Sequence, residues 1–272
     1  MRSGQVQRIV RAPSPGRRGG RVWQRIALFL PPFALLSALI AAWEVIVWRL
    51  DLPAWLLPPP SRILTTLINN LPVLGEHITT TLSVTAPGFG LALIGGFTLG
   101  VLIDASPLLR RAVYPLLVTS QTIPIVAIAP LLVVGFGFGM LPKVLVVALV
   151  TFFPIVVNTA DGLQAADRDQ RRLLEAMGAN YWQSLRLLRL PAALPSIFTG
   201  IKVAVTYSII GAVLAEWIGA SAGLGVYIAR SLRAFRTDQV FVAALTTSLL
   251  TIALFALVVL LERWIISWRE EP

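Results

Sequence analysis

Long apolar stretches alternate with short polar segments along this chain. A helix of about 20 apolar residues crosses the hydrocarbon core of a bilayer, so each of the long stretches predicts a membrane span. The predicted spans cover residues 26–48, 79–103, 112–134, 141–159, 196–218 and 240–265. The pattern therefore predicts an all-α, polytopic membrane protein with six transmembrane helices.

The segment before the first span has a different character. Residues 1–25 are rich in Arg, Gly, Ser and Pro and have no apolar core, which is typical of a disordered arm. Its seven arginines predict a cytoplasmic N-terminus by the positive-inside rule, and an even number of spans returns the C-terminus to the cytoplasm. The chain is thus divided into a basic cytoplasmic arm, 1–25, and a transmembrane domain, 26–272.

Composition supports the membrane assignment and excludes several kinds of site. Hydrophobic residues make up 56% of the chain and charged residues 13%, whereas soluble domains carry about 25% charged residues. There is no cysteine and a single histidine, His77, so we expect no disulfide, no thiolate chemistry and no metal site, and we read His77 as an ordinary loop residue. The net charge of +10 is concentrated in the arm without interleaved aromatic residues, which favours contact with membrane lipid over nucleic acid.

One charged segment between the fourth and fifth spans also repeats apolar residues at helical spacing. This segment, residues 161–190, predicts two short amphipathic helices joined at Gly178, because glycine tolerates the turn. Pro191 and Pro195 are expected to end the second helix. The apolar face consists of Leu174, Met177, Tyr181, Leu185 and Leu188. Such a pair of helices on the membrane surface is suited to meeting a soluble partner.

This segment resembles the cytoplasmic coupling loop of inner-membrane permeases of binding-protein-dependent ABC importers. That loop carries Glu-Ala-Ala, then a glycine, then an apolar residue followed after one position by Leu-Pro. Gly178, Leu188, Leu190 and Pro191 stand at the family spacing. The Glu-Ala-Ala positions depart from the pattern, since residues 172–174 are Arg-Leu-Leu.

The resemblance covers nearly everything after the N-terminal arm. It includes SQTIPIVAIAPLLVVGFG at residues 120–137 and AEWIGASAGLG at residues 215–225. Within the superfamily the chain is most similar to the nitrate/sulfonate/taurine group, and especially to its branch for pyrimidines and vitamin precursors. The resemblance implies a type I ABC importer permease fold with a cytoplasmic coupling helix, in the bacterial inner membrane.

The same resemblance implies the partners. They are two ABC ATPase subunits, a second permease copy in a homodimer, and an extracytoplasmic substrate-binding protein. The sequence has no GxxxxGK[ST] loop, so ATP and Mg²⁺ belong to the partner ATPase, and this chain is expected to be a non-catalytic subunit without a cofactor. Residues 171–191 would then contact the ATPase, with Tyr181 and Trp182 as knobs that enter its groove. The full set of expected coupling residues is Arg172, Glu175, Gly178, Ala179, Tyr181, Trp182, Leu190 and Pro191.

Polar residues inside the spans are the candidates for the translocation path. Prolines at membrane depth leave backbone carbonyls that neighbours or a water-lined path must satisfy, and polar residues beside them mark such a path. For Gln121, a hydrogen bond between helices is an equally good interpretation. For Glu216, the family resemblance offers a second interpretation, in which the residue shapes the outer end of its helix. The candidates are Gln121, Thr122, Asn158, Tyr207, Ser208 and Glu216.

Two other function classes fit the sequence less well. An ion-coupled secondary transporter would favour inverted repeats and several midplane carboxylates, but the chain has no such repeat and only Glu216 as a carboxylate candidate. An intramembrane enzyme would need a nucleophile with a base, or metal ligands. The favoured interpretation is an importer permease, with a thiamine-precursor pyrimidine or a riboflavin-like vitamin as the first expected substrate and a sulfonate, taurine or nitrate as the next.

Three arginines of the predicted outer loop have two interpretations. Arg230, Arg233 and Arg236 follow the fifth span within a few residues of each other. They either contact an acidic face of an extracytoplasmic partner or are simply solvated loop charges.

Overall fold

The computed structural model describes residues 20–266, with side chains from residue 31 onward. The chain divides into two compact units. Within the described residues, the first comprises residues 20–52 together with Pro59–Ser61, and the second comprises Pro53–Pro58 and residues 62–266. Most of the predicted basic arm lies outside the described residues.

The first unit contains helix α1, Gly20–Arg49, whose membrane-length apolar part is Pro31–Arg49. The helix therefore begins earlier than the predicted residue 26. Near its end the Glu44 carboxylate accepts hydrogen bonds from the backbone N and the Oγ of Ser61, at 3.0 and 2.7 Å. The Ser61 hydroxyl is thus a donor to Glu44.

The remaining helices follow in chain order. They are α2 Pro60–Asn69, α3 Leu71–Ala105, α4 Pro107–Ser120, α5 Ile125–Phe136, α6 Met140–Gln164, α7 Arg168–Ala176, α8 Tyr181–Ser184, a π-helical turn Leu185–Arg189, α9 Leu190–Glu216, α10 Leu224–Arg233 and α11 Thr237–Ile265. No strand occurs among residues 20–266. The all-α expectation is confirmed.

Five stretches within the described residues are long and apolar enough to cross a membrane, and a bent helix pair can supply a sixth span. The bent pair is α4 and α5, which meet at 99°. The third span, predicted as one helix over residues 112–134, is therefore broken. The break precedes Pro124, because a proline ring disfavours helical backbone at the residue before it. The five stretches are Pro31–Arg49, Leu71–Ala105, Met140–Gln164, Tyr181–Glu216 and Thr237–Ile265.

The core of the second unit is formed by α3, α6 and α9, which approach each other at glycines. A Cβ added at Gly96 would lie 3.0 Å from the Cβ of Ile155, and one added at Gly100 would lie 2.6 Å from the Cβ of Thr159. On the other side of α6, a Cβ added at Gly200 of α9 would lie 2.7 Å from the Pro154 carbonyl oxygen. These glycines therefore let α3 and α9 approach α6 closely.

Helix α3 is longer than predicted, and this changes the position of the histidine. The helix begins at Leu71, eight residues before the predicted start of the span. His77 is consequently helical and buried, with 8% of its surface exposed. The loop interpretation of His77 was wrong, because Leu74 and the following turns of this segment pack into the core.

Candidate functional site

The predicted coupling segment contains the turn expected at Gly178. Helix α7 is capped by Asp167, whose carboxylate accepts hydrogen bonds from two following backbone amides. After α7 the chain reverses at Gly178, where φ is +84°. A Cβ added there would meet nothing within 4 Å, so glycine is favoured by the left-handed backbone and not by lack of space. The turn is closed by a 3.0 Å hydrogen bond from the Ala179 N–H to the Leu174 carbonyl.

The chain re-enters a helix at a reciprocal cap. Asn180 accepts a hydrogen bond from the Gln183 backbone N–H at 2.9 Å, and the Gln183 side chain accepts one from the Asn180 N–H at 2.8 Å. The helix that follows does not end at Pro191 and Pro195 as predicted. It continues as one membrane-length stretch, Tyr181–Glu216. The π-helical turn lies immediately before Pro191, where the widened backbone accommodates the ring and its missing N–H.

This continuity changes the meaning of Leu190 and Pro191. Both residues are half-buried and belong to the first turn of α9. The second half of the predicted coupling segment is therefore the beginning of the fifth span itself, and not a separate short helix.

The expected coupling residues fall into an exposed and a half-buried group. Trp182 is 69% exposed, Leu173 on α7 is 62% exposed, and Met177, the residue after α7, is 75% exposed. Leu173 was not among the predicted contact residues. The presence of a leucine on an otherwise charged helix was the sequence feature that could have identified it. The exposed group is Arg172, Glu175, Gly178 and Trp182, and the half-buried group is Ala179, Tyr181, Leu190 and Pro191.

Tyr181 is not the outward knob that the sequence predicted. Its hydroxyl donates a 3.1 Å hydrogen bond to Asp104 at the end of α3. The Tyr181 ring also packs against Trp182 edge to face, with centroids 5.6 Å apart. Of the two predicted knobs, only Trp182 points away from the bundle.

A buried arginine, missed in the sequence, connects this segment to the bundle. The side chain of Arg189 is 2% exposed and forms an ion pair with the fully buried carboxylate of Asp104. Its Nε donates a 3.3 Å hydrogen bond to the Leu163 carbonyl at the end of α6. Its guanidinium carbon lies 5.6 Å from the centroid of the Tyr181 ring. The only sequence signal was its helical spacing from Tyr181 and Leu185 on the buried face.

Three of the predicted path residues line one cavity beside α6 and α9. They are Gln121 at the α4–α5 break, Asn158 on α6 and Tyr207 on α9. The cavity measures about 430 Å³, and an adjoining cavity of about 370 Å³ shares Gln121 and Tyr207 with it. The complete lining of the 430 Å³ cavity is Gln121, Val150, Phe153, Pro154, Val157, Asn158, Val203 and Tyr207.

The other three path candidates do not line this cavity. Thr122 is exposed and donates to the Thr119 carbonyl at 2.8 Å. Ser208 is 1% exposed and donates to the Val205 carbonyl at 2.7 Å. Both hydroxyls therefore bond to a backbone carbonyl three residues earlier, as Ser and Thr side chains commonly do.

Glu216 is the third of these, and it serves as a cap. Its side chain is buried, with 1% exposure. One carboxylate oxygen accepts a hydrogen bond from the Thr81 hydroxyl and the other accepts one from the Gly225 N–H, both at 2.7 Å. The Thr81 hydroxyl oxygen in turn accepts a 2.9 Å hydrogen bond from the Leu224 N–H. These bonds satisfy the free amides at the start of α10, where a negative charge is also favoured by the helix dipole.

The glycines before α10 let Glu216 reach these amides. At Gly223 φ is +122°, and an added Cβ would lie 2.2 Å from the Glu216 carboxyl carbon. The Gly223 N–H donates to the Nδ1 of His77 at 2.9 Å, and the His77 ring lies 5.2 Å from the Tyr227 ring. Burial raises the pKa of the Tyr227 phenol. His77, Glu216 and the Gly-Leu-Gly turn thus form one connected outer cluster.

No group of three or more His, Cys, Asp or Glu side chains is arranged to bind a metal ion in the part of the chain that the structure describes.

The sequence of this chain is similar to those of known transport proteins. The sequence profile described as "Binding-protein-dependent transport system inner membrane component" matches residues 88–267. The formylaminopyrimidine transport permease protein ThiX of Halalkalibacterium halodurans is 38% identical over 89% of this chain and 97% of its own. The riboflavin transport system permease protein RibX of Chloroflexus aurantiacus is 37% identical over 94% and 96%. SsuC of Bacillus subtilis, a putative aliphatic sulfonates transport permease protein by its given name, is 31% identical over 94% and 91%.

A solved structure supports the fold. The crystal structure of an amino acid ABC transporter with histidines superposes with a TM-score of 0.60 and 16% identity, covering 73% of this chain and 97% of that one. These matches place the chain in the nitrate/sulfonate/taurine group, close to the pyrimidine branch. The chain belongs to the binding-protein-dependent transport system inner membrane component family, as a multi-pass, non-catalytic permease subunit of an ABC importer for small solutes.

Proposed function

We propose that this permease imports a thiamine-precursor pyrimidine or a riboflavin-like vitamin across the bacterial inner membrane, driven by a separate ATPase. The observation that carries the substrate class is the pair of relatives named for formylaminopyrimidine and riboflavin, which match nearly the full length of this chain. A sulfonate, taurine or nitrate is the next candidate, since relatives named for those solutes match at lower identity.

The coupling segment is the proposed contact with the ATPase. Arg172 and Leu173 on α7 are exposed, as is Met177 directly after the helix. Trp182 is exposed just after the turn. An apolar patch ringed by charge on an otherwise polar segment is typical of a protein interface. Because Tyr181–Glu216 is one continuous stretch, a push on Trp182 is passed directly to the fifth span.

Buried contacts extend this link to the rest of the bundle. The Arg189 ion pair with Asp104 ties the same stretch to α3, and its bond to Leu163 ties it to α6. Two ATPases that close on ATP would therefore move α3, α6 and α9 together as a rigid body. Both chain termini lie on the ATPase side in this arrangement.

A second copy of this chain completes the translocation path. Helices α4 and α5 contribute one fully buried residue, Ala129, and a few half-buried ones to the core, whereas their outward residues are apolar and exposed. The cavity lined by Gln121, Asn158 and Tyr207 lies beside this uncovered face. A homodimer that pairs these faces would cover the apolar surface and place two such cavities along one path. The exposed residues include Leu116, Val118, Ile123, Val126, Leu131 and Val134.

Ion coupling is disfavoured as an alternative. It depends on Glu216 as the intramembrane carboxylate, and both oxygens of Glu216 already accept hydrogen bonds within the protein. The outer cluster accounts for this residue without a transported ion.

The test is reconstitution in proteoliposomes with the ATPase and the substrate-binding protein. We expect uptake of formylaminopyrimidine or riboflavin that requires ATP and both partner proteins, with taurine and nitrate as comparison solutes. ATP-dependent uptake of taurine or nitrate alone would replace the vitamin assignment. Accumulation by the purified chain on an ion gradient, with no other polypeptide present, would overturn the importer mechanism itself.

A further inference from the structure

A polar cavity lies at the end of the second unit that is remote from the coupling segment. Helix α9 begins in the coupling segment and ends at Glu216, so α10 and the start of α11 lie at the opposite end of the span. The cavity there measures about 480 Å³ and is enclosed by α2, residues 54–55 and the turn between α10 and α11. Its lining, here called the outer corner, is Ala54, Trp55, Arg62, Thr66, Asn69, Asn70, Phe235, Arg236, Asp238 and Gln239.

The outer corner is a built structure and not a gap between loops. Asp238 is paired with Arg62 at 3.5 Å and accepts a 3.1 Å hydrogen bond from the Thr66 hydroxyl. The Thr237 hydroxyl donates to the Trp55 carbonyl, which holds residues 53–58 against the start of α11. The one carboxylate of the cavity is therefore neutralised internally.

The positive charge at this corner is not neutralised. Arg236 lines the cavity and Arg233 lies one helical turn earlier at the end of α10, and neither forms an ion pair within the described residues. Arg230, by contrast, is engaged with the Ser221 carbonyl at 2.8 Å. The two free guanidinium groups are exposed. Such groups favour a carboxylate, which arginine binds in a bidentate geometry.

Aromatic surface lies beside these arginines. Phe235 is 74% exposed in the left-handed region at φ +54°, a backbone conformation that is unfavourable for a bulky residue. Trp55 is 58% exposed on the other side of the cavity, and Leu232 is 64% exposed on α10. Exposed aromatic residues next to arginine are the residue types enriched at the centres of protein interfaces.

We propose that the outer corner is the docking site for the substrate-binding protein of this importer, with an acidic side chain of that protein entering the cavity beside Arg236. Phe235 and Trp55 pack against the apolar surface around that acidic residue. This inference rests on the proposed function, because it requires the coupling segment to be cytoplasmic and the outer corner to face the binding protein. It adds the location and the charge of the contact.

The lining favours a protein over a lipid headgroup as the occupant. Side-chain amides of Asn69 and Gln239 and the Arg62–Asp238 pair supply several donors and acceptors to the cavity. A phosphate would use only the donors, whereas a protein loop would use both. An acidic lipid headgroup is nonetheless the competing ligand of the arginines, so the experiment includes it.

The experiment measures the affinity of the binding protein for the complete transporter, with its ATPase subunits, in two kinds of nanodisc. One kind contains phosphatidylcholine alone and the other also contains phosphatidylglycerol. The variants are Arg233→Gln with Arg236→Gln, the charge-preserving pair Arg233→Lys with Arg236→Lys, and Phe235→Ala. We expect the Gln pair to weaken binding-protein affinity about tenfold at low salt, the usual scale for two rim charges, and to flatten its salt dependence. The Lys pair should stay within about twofold of wild type, because steering depends on charge. Phe235→Ala should weaken affinity by at least the same factor as the Gln pair.

The outcomes separate this inference from the proposed function. Equal affinity of all variants for the binding protein, with assembly and basal ATPase activity intact, would overturn docking at the outer corner and leave the importer assignment standing. An effect of the Gln pair that appears only in nanodiscs containing phosphatidylglycerol would assign the arginines to lipid and also overturn it. Failure of the wild-type complex to bind ATPase would instead contradict the proposed function.

Discussion

The guanidinium of Arg189 and the carboxylate of Asp104 form a buried ion pair between the π-helical turn and the end of α3. The two side chains are 2% and 0% exposed, and 85 residues separate them in the sequence. Burying two charges costs several kcal/mol per ion, which only good geometry and additional hydrogen bonds offset. Here the bonds to Leu163 and Tyr181 supply them. The pair therefore fixes one position of the coupling segment against the bundle.

Removing one partner of this buried ion pair should lower the free energy of unfolding much more than removing one partner of an exposed ion pair. Asp104→Asn leaves the Arg189 charge buried without its counterion, and we expect a loss of about 3–5 kcal/mol in the free energy of unfolding. The matched control is Glu175→Gln, which breaks the exposed pair with Arg171 and should cost about 0.5 kcal/mol or less. Denaturant unfolding in detergent measures both. Similar losses for the two variants would contradict the role given to the buried pair.

The turn at Gly178 should require a residue that adopts a positive φ. Gly178→Pro requires φ near −65° in place of +84°, and it removes the N–H that donates to the Glu175 carbonyl at 3.0 Å. We expect normal membrane insertion but loss of ATPase co-purification. Gly178→Ala should weaken association by a smaller amount, about 1 kcal/mol.

The control for this turn is Gly90→Ala in α3. An added Cβ meets nothing within 4 Å at either glycine, so only the backbone conformation differs between them. Gly90→Ala should be neutral or slightly stabilising. Normal transport by the Gly178→Pro variant would show that the turn is not part of the coupling.

Glu216 should behave as a structural cap and not as a substrate ligand. Glu216→Gln retains one acceptor oxygen but places an amide N–H₂ toward Thr81 or Gly225, leaving a buried donor without a partner. We expect a loss of about 1–3 kcal/mol in the free energy of unfolding, with KM for the residual transport unchanged. A raised KM with unchanged stability would instead assign Glu216 to the path.

Filling the cavity at α6 and α9 should block transport without preventing assembly. Val203→Trp adds bulk to the lining shared by Asn158 and Tyr207. Leu260→Trp is the control, since Leu260 is 62% exposed on α11 and does not line the cavity. Uptake should fall to a small fraction for Val203→Trp only, while ATPase co-purification remains normal for both. Full uptake by the Val203→Trp variant would show that this cavity is not part of the translocation path.

The homodimer can be tested by cross-linking, because the chain has no cysteine of its own. Single cysteines at Val126, Leu131 and Val134 sample the exposed face of α5, and a cysteine at Leu260 samples α11. A disulfide forms when two Cα atoms come within about 7 Å. We expect at least one α5 position to give a cross-linked dimer in membranes and Leu260 to give none. Cross-linking at Leu260 alone would contradict the proposed pairing.

Several features followed from the sequence because they depend on local properties. Span positions come from runs of apolar residues, whose transfer into lipid does not depend on their neighbours in the fold. The turn at Gly178 was expected because glycine readily adopts left-handed backbone.

Tertiary structure decided which side chains serve the site. Tyr181 and Trp182 are adjacent aromatic residues, and the sequence gives no reason to assign them different roles. In the structure, only Tyr181 is hydrogen-bonded to Asp104 of the bundle. The sequence predicts Glu216 as a path residue, whereas in the structure Thr81 and Gly225 donate hydrogen bonds to its two carboxylate oxygens. In each case the partner lies on another helix or across a turn, and no periodicity within one segment encodes it. The free energy of a buried polar group depends on its partners, so only packing could determine these roles.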